Sequence, residues 1–127
     1  MNRPVCIVSG AAGNLGEVVV RKLQQHFFVE AIVRKAQTPG EYVHYSQLDL
    51  TDEVATNALI SHCIQKHHEI HSAALIAGGF TMGELSVTDY TSLEKMLTLN
   101  FKTAYTLIRP MYEHMRNKGG GNIILIG

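Results

Sequence analysis

The sequence predicts an α/β fold, a doubly wound parallel sheet with helices on both faces, in one domain spanning residues 1–127. Three observations carry that expectation. Val5 to Val8 is a short apolar run, followed by Gly10, Gly13 and Gly16 and then an amphipathic segment, which is the order strand, tight turn, helix. The later apolar runs are also short and near-continuous, as in strands covered on both faces. Longer segments with apolar residues at helical spacing lie between them, so strands and helices alternate.

Composition limits the partners. A hydrophobic fraction of 46% and a charged fraction of 17% suit a globular domain. Lys and Arg number 11, and so do Asp and Glu, which gives bulk charge no reason to attract nucleic acid or a membrane surface. No apolar run approaches a membrane span, and the N-terminus lacks the apolar core of a signal peptide, so a cytoplasmic location is expected. The two cysteines, Cys6 in a strand and Cys63 in a helix, read as small buried hydrophobes. Among seven histidines, His67 and His71 are four apart, with His62 and His68 nearby. His71 opens the next predicted strand, so the group reads as a solvated helix end and no metal site is expected.

The first turn has the chemistry of a dinucleotide phosphate cradle. Gly10 lets the chain leave the strand sharply, Gly13 lets backbone approach a pyrophosphate, and Gly16 lets the first helix pack on the sheet. The helix then aims its open N–H groups and positive dipole end at the phosphates. Asn14 tolerates left-handed backbone and can stand where a fourth glycine would. Leu15, Val19 and Leu23 give this helix a buried stripe, while Glu17, Arg21 and Gln24 face water.

Phe28 to Val33 is the second strand. NAD sites place an acid at its end, whereas this chain has Val33, Arg34 and Lys35 there, cations that suit a 2′-phosphate. NADP is therefore expected over NAD; the alternative is a solvated basic turn extended by Thr38-Pro39-Gly40. Tyr42 to Gln47 is the third strand, followed by Asp49, which can accept from an adenine amino group or serve as a helix-entry acid. Thr51 is the expected cap of a second helix that runs to about Lys66 and turns Ala55, Leu59 and Cys63 to one side. Ile70 to Ile76 is the fourth strand. It ends in Ala77, Gly78 and Gly79, where backbone can lie against a ribose and nicotinamide. Residues 80 to 88 read as a loop, either touching substrate or merely connecting.

A long helix follows from about Asp89 to Arg116, with Leu93, Leu97, Ala104, Leu107 and Met111 on one face. Asn100 falls within that face, and a buried amide needs a partner or a function. Pro110 is expected to kink or divide the helix. Gly119, Gly120 and Gly121 end it, and Asn122 to Ile126 is the fifth strand.

These motifs together resemble the N-terminal half of a short-chain dehydrogenase/reductase. Ser9-Gly10-Ala11-Ala12-Gly13-Asn14-Leu15-Gly16 resembles the family's Thr-Gly-x-x-x-Gly-x-Gly turn. Asp49-Leu50 resembles its adenine-contact motif, and Ala77-Gly78 the end of its Asn-Asn-Ala-Gly motif. Leu99-Asn100-Phe101, with the strand after Gly121, resembles the helix bearing the catalytic Asn and its following strand. Leu75 to Phe80 and Leu125 to Gly127 resemble the dihydropteridine reductase branch. The resemblance implies a Rossmann-type sheet in strand order 3-2-1-4-5. It also implies cofactor contacts from Ser9, Gly10, Gly13, Asn14, Leu15, Gly16, Arg34, Asp49, Leu50, Ala77 and Gly78, with Asn100 anchoring a proton-relay water.

Two departures shape the expectation. Leu75 and Ile76 replace both asparagines of Asn-Asn-Ala-Gly, so the end of strand four must be held differently. The family's catalytic Ser and Tyr-x-x-x-Lys lie beyond the fifth strand. Tyr105-x-x-x-Arg109 and Tyr112-x-x-x-Arg116 precede that strand and place Arg where Lys is needed, so neither is a catalytic pair. In the implied order, apolar Ile123-Ile124-Leu125-Ile126 is a sheet edge, which suggests a chain cut short after strand five or covered by a partner. The expected function is hydride transfer between NADP and a carbonyl, alcohol or pterin-like small molecule, with the 127 residues alone inactive. The intact protein would form a homo-oligomer through the long helix. The alternative is a non-enzymatic NADP-binding sensor or interaction module.

Overall fold

The computed structural model describes residues 3–79 and 83–127. Five strands form one parallel sheet: β1 Val5–Ser9, β2 Phe28–Val33, β3 Val43–Gln47, β4 Ser72–Leu75 and β5 Asn122–Leu125. Their order is β3-β2-β1-β4-β5, as the resemblance implies. The reversal between β1 and β4 opens a crevice beyond the carboxyl ends of these strands, the position where such sheets bind ligands. Residues 80–82 of the expected loop lie outside the described residues; residues 85–87 form one turn of 3₁₀-helix.

Alternation along the strands builds two apolar layers. Cys6, Val8, Val29, Ala31 and Val33 face helix α1 (Asn14–Leu23), where they pack with Val20. Ile7 and Ile32 face the other side, with Ile60 and Cys63 of α2 (Glu53–His67) and Leu107 and Met111 of α4 (Thr103–Asn117). Both cysteines are buried and unpaired, and burial pushes the Cys6 thiol up to about 11.

Several local expectations are corrected. Asn14 is not left-handed; it is the first residue of α1, capped by Gly13 in extended backbone. The buried line of α1 therefore runs through Gly16 and Val20, and Leu15 stands 49% exposed at the crevice. Asp52, not Thr51, caps α2, accepting from the Ala55 N–H at 3.0 Å. The long helix does not break at Pro110, which lies inside α4 between the fully buried Leu107 and Met111; packing on both sides holds the turn despite the missing N–H. The interruption is a π-turn at Thr98–Lys102, between α3 (Tyr90–Leu97) and α4. With it the apolar face divides: Leu107 and Met111 are buried, while Leu93 and Leu97 are 52% and 49% exposed.

Candidate functional site

A cavity of about 700 Å³ opens at the carboxyl ends of the strands. Its floor is the glycine turn, one wall is the segment after β2 and β3, and the other is Ile76, Ala77 and Gly78 beyond β4.

The three glycines do different work. Gly10 has φ +64, and a Cβ there would lie 2.7 Å from the Ala77 nitrogen, so conformation and space both require glycine. A Cβ on Gly16 would overlap the Gly10 carbonyl oxygen. Its packing partner is thus the turn itself rather than the sheet. A Cβ on Gly13 would meet the chain only at the Gly10 oxygen, 3.5 Å away. Nothing in the fold forbids a side chain at Gly13; the space it leaves belongs to the cavity.

Ser9 is placed otherwise than expected. It is 1% exposed and does not line the cavity. Its Oγ accepts the N–H groups of Ile76 and Ala77 at 3.0 and 3.1 Å. The hydroxyl thereby ties the end of β1 to the end of β4. This answers the loss of both strand-four asparagines at Leu75 and Ile76, because the turn beyond β4 is held from β1 instead.

Asn100 is also corrected. It is an exposed residue of the π-turn rather than a buried amide, yet its polar atoms are engaged. Its Oδ1 accepts from the Gly79 N–H at 3.1 Å, and its Nδ2 donates to the carbonyls of Gly79 and Met96, both at 3.0 Å. The extra residue of a π-turn re-aims a side chain, and here the amide clasps the backbone just past the cavity wall. A Cβ on Gly78 would overlap its Oδ1, so that glycine is needed for the approach. Asn100 itself does not line the cavity; Leu99 and Thr103, four apart on the same side of that helix, do.

The remaining residues converge. Asn14, Leu15, Arg34, Asp49, Leu50, Ala77 and Gly78 all line the cavity. Leu50 is 8% exposed and supplies an apolar wall. Asp49 Oδ1 accepts from the Thr51 N–H and hydroxyl at 2.9 and 2.7 Å. These bonds, with the Arg34 charge adding to them, hold its carboxyl below the usual range. Arg34 and Lys35 stand exposed at the rim and make no salt bridge among the described residues.

Sequence reasoning missed Ala11, Ala12, Ile32, Leu48, Leu99 and Thr103 as lining residues. Ala11 and Ala12 lay in the quoted glycine motif, and the spacing of Leu99 and Thr103 was visible. The inward turn of their helix at the π-segment was not. The tyrosines of the two rejected Tyr-x-x-x-Arg pairs, Tyr105 and Tyr112, are 55% and 57% exposed and line no part of the cavity.

Comparison with known proteins follows this geometry. A solved structure of ElxO with NADP bound superposes with a TM-score of 0.82 at 25% identity, covering 97% of this chain and 54% of that one. A short-chain dehydrogenase/reductase from Serratia marcescens BCRC 10948 gives 0.84 at 24% identity over 99% of this chain and 58% of its own. A short-chain dehydrogenase from Streptomyces avermitilis gives 0.88 at 18%, over 97% and 48%. The chain thus spans about half the length of these structures. No curated protein matches it in sequence. The family model for short chain dehydrogenases matches residues 4–127. With the glycine turn, the 3-2-1-4-5 sheet and the crevice at its switch point, that match places this chain in the short-chain dehydrogenase family of oxidoreductases.

Proposed function

We propose that the cavity holds NADP and that this chain is the cofactor-binding part of an NADP-dependent oxidoreductase acting on a carbonyl, alcohol or pterin-like small molecule. One observation carries the cofactor choice. Two cations, Arg34 and Lys35, stand at the cavity rim with no salt bridge among the described residues, at the place where an NAD site carries an acid. The NADP in the ElxO structure supports the same choice.

The residues fit the group. The open space over Gly13 and the N-terminus of α1 suit a pyrophosphate, with Asn14 and Leu15 beside it. Gly10 and Gly16 maintain the turn. Arg34 meets the 2′-phosphate. Asp49 and Leu50 border the adenine, the first with a hydrogen-bond acceptor and the second with an apolar face. Ala77 and Gly78 lie along the ribose and nicotinamide side, while Ser9 and Asn100 position that backbone without touching the cofactor. Bound NADP supplies the hydride acceptor or donor; the residues of this chain bind and orient it.

The test is titration with NADPH and NADH. Arg34→Ala should weaken NADPH by about 10- to 100-fold, the worth of a lost charge-assisted contact. NADH affinity should change much less. Equal losses for both nucleotides would remove the 2′-phosphate assignment, and absence of binding to either would remove the cofactor reading.

A further inference from the structure

The amino ends of the strands carry a group of histidines that the cofactor reading does not use. Two of them accept hydrogen bonds from the main chain. The Val5 N–H donates to His71 Nδ1 at 2.9 Å, and the Ile70 N–H donates to His114 Nε2 at 3.0 Å. A ring nitrogen that accepts must carry its lone pair, so the His114 ring is held neutral in this geometry. His71 has a carboxylate on its other nitrogen, Glu69 Oε2 at 2.6 Å from Nε2. His114 has no ion pair among the described residues.

The bond from Ile70 spans three elements. His114 lies on α4, and Ile70, fully buried, sits in the connection just before β4. One residue on, the His71 carbonyl accepts from the Asn122 N–H, the first residue of β5, at 3.2 Å. A single imidazole thus pins α4 to the point where β4 and β5 begin their ladder.

We propose that His114 is an acid-opened latch: its neutral ring holds α4 to the entrance of β4, and protonation releases that bond and loosens the β4–β5 edge. A protonated ring has two donors and no acceptor, so Ile70 would lose its partner while its N–H faced another N–H. An unpaired buried donor is costly, so the loosened state gains weight.

The surrounding charges support this direction. Burial lowers the pKa of His114, as do Lys118 at the end of its own helix and His71 opposite; Glu69 opposes them. The β5 segment Asn122–Leu125 has no titratable side chain. On α2, packed against the same helix, Lys66 and His67 are engaged with Glu30. The folded state therefore takes up the proton less readily than the unfolded chain. The latch contributes fully above the ordinary histidine value, roughly 6.5, and is lost as pH falls below it.

His114→Gln tests the latch, because a glutamine oxygen can accept the Ile70 N–H but cannot titrate near neutrality. Melting temperatures of the protein and this variant are compared at pH 7.5 and pH 5.0. Their difference should move by ~4 °C in favour of the glutamine form on acidification, the shift expected for one hydrogen bond in a domain of this size. A difference that stays constant overturns the proposal. If the variant does not fold, the unsubstituted protein decides by nuclear magnetic resonance. His114 should titrate below the ordinary histidine value, together with faster exchange of the Ile70 amide. A ring that titrates while that exchange stays unchanged also overturns it.

Discussion

The two ends of the sheet enclose cavities of nearly equal size and opposite character. The carboxyl end holds about 700 Å³, and the amino end about 690 Å³. At the amino end the main charged groups are engaged with protein partners. The Glu30 carboxylate, 4% exposed, takes His67 at 2.7 Å, His44 at 2.9 Å and Lys66 at 3.0 Å. Arg3 lies 3.4 Å over the Tyr42 ring and donates to the Gln24 carbonyl. At the carboxyl end the chain offers open backbone at Gly13, a helix N-terminus and two cations that make no salt bridge among the described residues. Volume does not separate these two places. Unmet binding capacity does: at one cavity Arg3, Lys66, His67 and His71 already hold protein partners, while the other is lined by groups that still have something to bind.

That contrast breaks most sharply at the glycines. Gly13→Val should leave the fold intact and lower NADPH affinity by about 100-fold or more, because the new side chain fills only ligand space. Gly16→Val should instead unfold the protein, since its Cβ overlaps the Gly10 carbonyl. Circular dichroism with a nucleotide titration checks both. A Gly13→Val protein that binds normally would remove the pyrophosphate from this turn.

The next effect belongs to the amino end. Glu30→Gln should cost about 3 kcal/mol in chemical denaturation at pH 7, the scale for breaking a buried ion pair. Burial alone would raise the Glu30 pKa, but hydrogen bonds from His67, Lys66 and His44 outweigh it and hold the carboxyl below its ordinary value. A lowered folded pKa means that the stabilisation is present above the unfolded carboxylate value, roughly 4.3, and fades as pH falls through the folded one. The glutamine variant should lack that acid limb, and nucleotide affinity at pH 7 should stay unchanged. A loss of affinity matching the loss of stability would mean that the two ends are coupled.

The smallest effect sharpens the boundary between them. Asn100→Ala removes an exposed amide that makes three main-chain hydrogen bonds. Each is worth about 1 kcal/mol or less net at such a site, so the melting temperature should fall by a few degrees. Slower turnover in an active form of the protein should accompany it, without a change in NADPH affinity. Full turnover would leave Asn100 as a clasp for Gly79 alone.

The legible parts of the fold and the site had local causes. Strand, glycine turn and helix at residues 5–23 follow from backbone freedom and apolar period, and the cation pair at Arg34 and Lys35 could be read one residue at a time. The errors involved distance along the chain. Ser9 looked like a cofactor contact because it opens the turn; its bonds go to residues 76 and 77. The histidines near His67 looked like a solvated helix end. His67 instead pairs with a glutamate placed 37 residues earlier, in a strand whose composition reads as core, and His71 accepts from the Val5 N–H. Pro110 looked like the break in a helix that changes its winding at Thr98–Lys102.

What the sequence determined by itself is the class of fold, the alternation of elements and the residue types at the cofactor turn, because these depend on period, conformational freedom and charge within a few residues. What only the tertiary structure decided is which polar groups are already satisfied. Ser9, Glu30, Asn100 and His114 each find their partner across a layer or another element. A hydrogen bond depends on distance in space, and the order of residues does not state it.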